Sequence, residues 1–252
     1  MEDQFFKFSI MSRFPELVHG ISKRAYGDMR FGTLAPEKVV ENRRQFFQKL
    51  GININNVTVA KLAHGIKIFA VSELEKGKGA KELETAIPET DALICREKDI
   101  FLMVTGADCL PILLYDPIMR VCGIIHAGWR GIAGQIIPKT IQKMADFGID
   151  GHNLAAGIGP GICQKHFVVK KDVLNIYQDL YPSATLVRNN DGYVDLKRAA
   201  TFDLTNAGIS SNNIQVANEC TVCNNGIYGS YRKEGSGAPA FAAVIGIKSE
   251  EK

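Results

Sequence analysis

The 252-residue chain has no apolar run that approaches the ~18–20 residues needed to cross a membrane. Its first residues, MEDQFFKF, include two acidic side chains and no long apolar stretch, unlike a secretory signal. These absences argue against a membrane or secreted protein and predict a cytoplasmic one. In that compartment cysteines stay mostly reduced, so a cluster of them more often indicates a metal or catalytic site than a disulfide.

Excess charge is also missing, because the formal net charge is only +3. The Arg43-Arg44 and Lys170-Lys171 pairs lie in polar, helix-like stretches typical of solvated faces, and no basic stripe suits a nucleic acid. We therefore expect neither a nucleic-acid nor a membrane partner. Apolar residues make up 46% of the chain and charged residues 23%, as in globular proteins that fold without metal or disulfides.

Apolar runs of strand length and amphipathic stretches of helix length alternate in blocks along the chain. Helices are predicted over 36–50, 132–147, 171–181 and 196–207, and Pro138 delays the stable part of the second to about Ile137. Strands are predicted over 6–11, 57–62, 66–71, 92–95, 100–105, 112–115, 121–125, 155–158, 214–216 and 240–247. Residues 73–89 should form a surface loop with a short helical turn. The pattern favours a single α+β domain over residues 1–252, with mixed sheets.

One predicted β-hairpin carries the strongest chemical signal. Its apolar runs end at Cys109 and His126 and are joined by a turn at Asp116-Pro117. A turn centred after Pro117 places Cys109 directly opposite His126, with Cβ atoms ~4.5–5.5 Å apart. The pair could share a metal ion or act as nucleophile and base. A one-residue change of register would send one of the two side chains to the other face of the sheet.

His64, in KLAHGIKIF, is a candidate third ligand. Together with Cys109 and His126 it makes three protein ligands, which leave one coordination position of a tetrahedral metal open. That arrangement is typical of catalytic rather than structural zinc centres. Alone, His64 is equally consistent with a structural histidine.

Two glycine-flanked loops contain candidate anion-binding arginines. HAGWRGIAG leads from the hairpin into a helix and carries Arg130, whereas GSYRKEGSG carries Arg232. A salt bridge for Arg130 and a simple surface turn around Arg232 are the alternatives. Cys220 and Cys223 form C-x-x-C, but without a second pair at zinc-finger spacing the motif favours a structural interpretation. His19, His152 and His166 are weaker candidates, and His152 is expected to be exposed.

Several motifs make the chain similar to the YfiH/laccase-domain family. They are ADCLPILLYDP, HAGWRG, the His-Gly at His64, VENRR from Val40 to Arg44, GIGPGI, and CT followed by SYR. The similarity runs from about Phe14 to Ile247, and ADCLP with HAGWRG forms a highly specific pair. The resemblance implies a layered α+β sandwich of mixed sheets flanked by helices, called CNF1/YfiH-like.

Members of this family have been described as multi-copper polyphenol oxidases and as zinc-dependent purine nucleoside phosphorylases with adenosine deaminase activity. The resemblance implies that His64, Cys109 and His126 are the metal ligands and catalytic centre. Some surrounding residues depart from the family pattern: Lys61-Leu62-Ala63 replaces a segment with glutamine, Gly32-Thr33-Leu34-Ala35 replaces Ser-Leu-Asn, and Gly237-Ala238-Pro239 replaces Gly-Arg.

The leading hypothesis is therefore a zinc enzyme that acts on purine nucleosides and phosphate, with Arg130 and Arg232 binding the substrate. Asp108, next to Cys109, is expected to support the site or the core, because neighbouring strand residues face opposite ways. A cysteine hydrolase or a cell-wall precursor editing factor that uses Cys109 and His126 is the main alternative. Copper-dependent phenol oxidation is weaker, because five histidines are few for several copper ions. A non-catalytic metal-binding protein is a further alternative. The sequence is consistent with either a monomer or a homodimer.

Overall fold

The computed structural model describes residues 4–249, which form fourteen β-strands and seven α-helices. The strands are β1 Phe5–Phe6, β2 Leu17–Ser22, β3 Val57–Val59, β4 Ile68–Ala70, β5 Ala92–Cys95, β6 Phe101–Gly106, β7 Leu110–Asp116, β8 Val121–Ala127, β9 Ala155–Ile158, β10 Val168–Val169, β11 Thr185–Arg188, β12 Asp191–Val194, β13 Ile214–Val216 and β14 Phe241–Ile247. The helices are α1 Ser9–Ser12, α2 Pro36–Leu50, α3 Trp129–Ala133, α4 Ile136–Ala145, α5 Lys171–Leu180, α6 Leu196–Asn206 and α7 Tyr231–Glu234. No helix among the described residues is both long and apolar enough to cross a bilayer.

Two mixed sheets pack face to face. One has the strand order β13-β9-β7-β8-β5-β4 and the other β1-β2-β14-β6-β3, and a small sheet has the order β10-β12-β11. Leu113 and Ile124 of the first sheet share a core with Leu102 and Ile245 of the second. Helices α4 and α6 cover the outer face of the first sheet, and α2 covers that of the second. The predicted α+β sandwich of mixed sheets flanked by helices is confirmed.

The uninterrupted apolar run in β7 follows from this layering. Ile112 and Leu114 point toward the helices, whereas Leu113 points toward the second sheet, and all three are fully buried. Because both faces of the sheet are covered, its central strands need apolar residues at every position. Such a strand is recognisable in sequence as a continuous hydrophobic segment.

Helix α2 occupies the predicted range. Pro36 stands in its first turn, where the missing N–H would have no intrahelical partner. Gly51 ends the helix in the left-handed conformation, with φ of 70°. Val39, Phe46 and Phe47 lie on its buried face, as the spacing of apolar residues predicts.

The predicted hairpin forms, but its register is wrong by two residues. His126 lies opposite Pro111 rather than Cys109, and Cys109 itself stands just before β7. The turn is centred between Ile118 and Met119, one residue later than predicted, and the Asp116 carboxylate accepts hydrogen bonds from the N–H groups of Ile118 (2.8 Å) and Met119 (2.9 Å). A shift of two residues keeps every side chain on its original face, because faces alternate with a period of two.

The N-terminal segment was predicted wrongly. Residues 6–11 do not form a single strand, because α1 replaces it after β1. Two distant side chains hold the turn into this helix: His19 Nε2 accepts a hydrogen bond from Phe8 N (3.0 Å), and Gln215 Oε1 accepts one from Ile10 N (3.0 Å). Strand β2, missed in the sequence, contains His19 and Gly20 within its apolar run.

The other boundaries follow local chemistry. The helix predicted over 132–147 is divided into α3 and α4 at Gln135, which has φ of 66°. Pro138 falls in the first turn of α4, where proline is tolerated. The predicted loop at 73–89 is present and contains single helical turns at Glu73–Glu75 and Leu83–Thr85. The short strands β10, β11 and β12 were not predicted, because their sequences have no clear alternation of apolar and polar residues.

Candidate active site

Three predicted ligand residues meet at one end of the six-stranded sheet. His64 lies in the loop before β4, Cys109 immediately before β7, and His126 within β8. The Sγ atom and one nitrogen from each imidazole lie within 4.8 Å of one another. The two rings meet edge to face, with centroids 4.9 Å apart. The sequence therefore identified a set of side chains that the fold does bring together.

A buried carboxylate, Asp91, holds two of these residues in place. Its side chain accepts a hydrogen bond from His64 N (3.0 Å) and another from Gly65 N (2.8 Å). It also contacts His126 Nδ1 at 2.9 Å. With Nδ1 engaged, Nε2 is the nitrogen of His126 left for a metal, and metal-binding histidines are commonly oriented in this way.

Asp91 was not predicted from the sequence. It precedes β5, whose neighbour β4 is parallel and follows the His64 loop, so the starts of the two strands lie side by side. On its other side β5 pairs with β8, where Ala92 lies opposite Ile125. The only local signal was a single acidic residue at the start of a fully apolar strand.

Backbone geometry near the ligands is specialised. His64 has φ of 57°, in the left-handed region, where non-glycine residues are uncommon. Gly128 lies where a Cβ atom would be 3.0 Å from Cys109 Sγ and 3.6 Å from a ring carbon of His64. A glycine at position 128 thus allows the backbone after β8 to lie close to the side chains of Cys109 and His64.

The side chains of Cys109, His126 and Asp91 influence each other's protonation. Burial alone raises the pKa of the Cys109 thiol, but the neighbouring His126 and His64 rings outweigh it and lower that pKa. Burial lowers the pKa of His126, and here the Cys109 thiolate and Asp91 outweigh it and raise that pKa. Asp91 shows the same balance, because hydrogen bonds from His126 and Gly65 overcome burial and lower its pKa. The site therefore favours a thiolate, the form that binds metal.

These observations test whether a metal ion fits. Three donors of the kinds that zinc prefers converge, one imidazole is held in the correct orientation, and both Cys109 and His126 line an open cavity. A divalent ion fits this donor set and would keep one position open toward the cavity.

The cavity has a volume of about 830 Å³ and a strongly positive wall. The charged side chains that line it, apart from the histidines, are Arg30, Arg43, Lys61, Arg130, Arg232 and Asp108. Asp108 is the one carboxylate among them. An anionic substrate is therefore favoured by electrostatics.

Asp108 has a positioning role, as the sequence suggested. Its carboxylate accepts hydrogen bonds from Thr221 Oγ1 (2.5 Å) and from the backbone N–H of Arg232 (2.6 Å). Its backbone oxygen accepts one from Ile162 N (2.9 Å). Asp108, which directly precedes Cys109, thereby connects the Cys109 segment with two other walls of the cavity.

The two predicted anion-binding arginines both line the cavity but differ in freedom. The Arg130 guanidinium lies over the Trp129 ring, 4.2 Å from its centroid, and Arg130 is exposed. Arg232 Nη1 donates to the backbone oxygens of His166 (2.9 Å) and Val168 (3.1 Å). Arg130 is therefore the less constrained of the two.

Arg43 is a third arginine, and the prediction of a solvated face was wrong for it. It is only 2% exposed, and burial lowers its pKa to about 10, opposed by the nearby Asp28. Its guanidinium donates to the backbone oxygens of Met29 (2.7 Å) and Gly79 (2.8 Å). It thereby joins the loop of Met29 to the loop of Gly79, and both Arg43 and Gly79 line the cavity. Its neighbour Arg44 is exposed, as predicted.

The view that the C-x-x-C motif lacks partners was also wrong. Cys220 and Cys223 meet Cys163 and His166, and their four donor atoms lie within 4.8 Å of one another. The companion motif, C-x-x-H at Cys163 to His166, is visible in the sequence but lies far from Cys220. Of the other histidines, His152 is exposed as expected, and His19 is buried in the core.

The departures from the family pattern lie partly at this cavity. Lys61, Leu62 and Ala63 line it, next to His64. Ala238 is buried, and its backbone oxygen accepts a hydrogen bond from Arg30 Nη2 (3.2 Å). Leu34 is exposed and does not line the cavity.

Comparisons with known proteins agree with this geometry. Residues 14–248 match the family model described as multi-copper polyphenol oxidoreductase laccase. The chain is 28% identical to the purine nucleoside phosphorylase YlmD of Bacillus subtilis, with 91% of this chain and 85% of that protein covered. It is also 28% identical to the adenosine deaminase RL5 of an unknown prokaryotic organism, covering 79% and 78%. The crystal structure of YlmD from Geobacillus stearothermophilus superposes with a TM-score of 0.91 at 26% identity, over 98% of this chain and 100% of that one.

Proposed function

The chain belongs to the multi-copper polyphenol oxidoreductase laccase family. From its similarity to a purine nucleoside phosphorylase and to an adenosine deaminase, we propose that it is a zinc-dependent purine nucleoside phosphorylase that also deaminates adenosine. The observation that carries the proposal is a His/Cys/His set that opens into a cavity whose charged lining residues, apart from the histidines, are five cations and one carboxylate. A purine nucleoside and inorganic phosphate are the substrates that suit it.

His64, Cys109 and His126 would hold the metal and form the catalytic centre. When bound, zinc supplies a Lewis acid with one exchangeable position, which stabilises developing negative charge. Asp91 keeps Nε2 of His126 available, and the lowered pKa of Cys109 keeps its sulfur as a thiolate. Copper is the alternative ion, because one cysteine and two histidines also suit it.

The cationic wall would bind phosphate for attack on the sugar. A phosphate oxygen forms a bond to C1′ of the ribose, while the bond from C1′ to the purine nitrogen breaks. The electron pair of that bond leaves with the purine, which takes up a proton. Arg130 has an exposed guanidinium for the incoming anion, and Arg232 adds a second positive charge.

Deamination is the second activity, and the similarity to an adenosine deaminase favours it. In this reaction water replaces the 6-amino group of adenosine, and ammonia leaves. The reaction needs no phosphate, so the Arg130 side chain should matter less for it than for phosphorolysis.

A thiol hydrolase is the competing function, and one observation favours it. Cys109 has a lowered pKa and lies beside His126, as a nucleophile lies beside its base. In that case removal of metal should increase activity, because the thiolate would no longer be coordinated. A metal-dependent nucleoside enzyme must instead lose activity.

The deciding assay incubates the metal-loaded protein with inosine or adenosine, with and without phosphate. We expect free base and ribose-1-phosphate only when phosphate is present, and ammonia from adenosine in both conditions. The zinc and copper contents of the same sample identify the metal. Absence of both reactions in protein that contains its metal would refute the proposal.

We further propose that the chain acts as one domain. The core shared by its two large sheets supports this, because neither sheet could bury that face alone.

A further inference from the structure

A second cluster of metal-binding residue types lies beside the cavity. Cys163 follows β9, and Cys220 follows β13. These two strands are parallel neighbours, so the loops after them leave the same edge of the sheet. His166 and Cys223 come one helical turn after the two cysteines, which gives a C-x-x-H and a C-x-x-C pair facing each other.

The distances suit a single ion. His166 Nδ1 lies 3.3 Å from Cys163 Sγ, 3.5 Å from Cys223 Sγ and 3.8 Å from Cys220 Sγ. Around a tetrahedral zinc with bonds of ~2.3 Å to sulfur and ~2.0–2.1 Å to nitrogen, each N···S separation is about 3.6 Å. One imidazole nitrogen nearly equidistant from three sulfurs is the arrangement that a shared central ion requires.

A disulfide explains this arrangement less well. All three cysteines are free thiols. A disulfide would engage two sulfurs and would give no reason for His166 Nδ1 to lie close to all three. Four donors that converge also leave no vacant position, in contrast to the three-ligand set at Cys109.

The surroundings stabilise a charged sulfur at Cys220. Cys163 N donates a hydrogen bond to Cys220 Sγ at 3.3 Å. Three thiolates and one neutral imidazole around a divalent ion carry a net charge of −1, and the Lys197 ammonium interacts favourably with Cys220 and Cys163. Lys197 also donates to the backbone oxygens of Ala217 (2.5 Å) and Glu219 (2.8 Å), which lead into Cys220.

We propose that Cys163, His166, Cys220 and Cys223 form a second, structural zinc site that fixes one wall of the cavity. The geometry explains how the effect reaches the catalytic centre. Thr221, between two of the ligands, donates its hydroxyl to Asp108, the neighbour of Cys109. The backbone oxygen of His166 holds the Arg232 guanidinium. The site is separate from the proposed catalytic metal.

Metal counting tests the proposal. The full chain is produced with zinc, desalted, and analysed for zinc per chain. We expect two zinc ions per chain in the wild type and one in each of the single variants Cys109→Ser, Cys223→Ser and His166→Ala. The double variant Cys109→Ser/Cys223→Ser should contain none. His152→Ala, which removes an exposed histidine elsewhere, is the matched control and should keep two.

Cobalt identifies which site remains. Cys109→Ser loaded with cobalt should keep the strong thiolate-to-metal absorption of a tetrahedral site with three sulfurs. In Cys223→Ser that absorption should weaken, because the remaining site has one sulfur. This comparison does not require enzymatic activity, so it separates failure of this site from failure of the nucleoside reaction.

Some results would overturn the second site. One is a wild-type protein that takes up only one zinc ion under saturating zinc, together with a Cys109→Ser variant that takes up none. Another is an intact mass that shows a disulfide among Cys163, Cys220 and Cys223 in zinc-loaded protein kept reduced. Should Cys223→Ser fail to fold, the Cys109→Ser protein alone still decides, because its second site is unaltered.

Discussion

The two Cys/His clusters use the same donor atoms in different surroundings. His64, Cys109 and His126 would supply three ligands and face an open cavity, whereas Cys163, His166, Cys220 and Cys223 would supply four ligands between two loops. A free coordination position lets an ion contact a substrate, and a complete ligand set lets it only hold the chain together. The number of ligands and the access of substrate thus separate the proposed catalytic centre from the proposed structural one.

The largest effect on activity should come from Cys109. For Cys109→Ser we expect kcat/KM for inosine with phosphate to fall by about 10³-fold or more, because the Lewis acid contributes several kcal/mol to transition-state stabilisation. Steady-state kinetics with free-base detection measures this. The matched control is Cys122→Ala, which removes a buried thiol in the core away from the cavity. Equal losses in both variants would contradict a catalytic role for Cys109.

Loss of a ligand from the closed cluster, the four-residue set Cys163, His166, Cys220 and Cys223, should instead lower the stability of the fold. We expect Cys223→Ser to lower the free energy of unfolding by about 4 kcal/mol, as for the loss of a ligand present at about a thousand times its Kd. Urea unfolding in zinc-containing buffer measures it. His152→Ala should change little by comparison. If a chelator lowers the melting temperature of Cys223→Ser as much as that of Cys109→Ser, the stabilising ion is not at the closed cluster.

Asp91 distinguishes the two clusters, because it contacts the loop of His64 and the ring of His126 and thus supports the three-residue set. We expect Asp91→Asn to weaken zinc binding there by about 10–100-fold, since the partner of a ligating histidine sets its orientation. Competition with a chromophoric chelator measures the affinity of each site. Asp116→Asn is the control. Asp116 is also buried and also accepts backbone hydrogen bonds, but it lies at the turn of the β7–β8 hairpin, at the opposite end from His126. A similar weakening in both variants would show a general loss of stability.

The smallest effect should come from Arg130. For Arg130→Ala we expect the KM for phosphate to rise about 10-fold, because a hydrogen bond to a charged group is worth about 1.5–3 kcal/mol. Phosphate dependence at saturating inosine measures it, and adenosine deamination should change less. Arg44→Ala, which removes an exposed arginine on α2, should leave the phosphate KM unaltered. An unchanged KM in Arg130→Ala would assign phosphate binding to other residues of the cationic wall.

Much of the fold could be predicted because it depends on local patterns. Helix α2 and strands β5, β9 and β13 occupy their predicted ranges, since their apolar spacing or continuity has no competing interpretation. One failure occurred where distant groups act, since His19 and Gln215 hold the turn at α1. The other is the position of the hairpin turn, where the Asp116 carboxylate binds the N–H groups of Ile118 and Met119 and the register follows.

The candidate site was predictable to a similar degree. Cys109 and His126 end two apolar strands of one hairpin, so even a wrong register that kept the faces retained them as a pair. Asp91 and Arg43 were missed, because nothing local marks a carboxylate as the partner of a distant histidine, or an arginine among polar residues as buried.

Local patterns in the sequence were enough to identify which residues can bind metal, how the helices and strands alternate, and that the hairpin strands are buried on both faces. Which of those residues meet depends on the arrangement of the sheets in three dimensions. The parallel pairs β4 with β5 and β9 with β13 bring together loops that lie far apart along the chain, Asp91 with His64 and Cys163 with Cys220. Pairing of this kind is non-local, because it depends on how whole sheets satisfy their hydrogen bonds and bury their faces, and short-range spacing does not encode it.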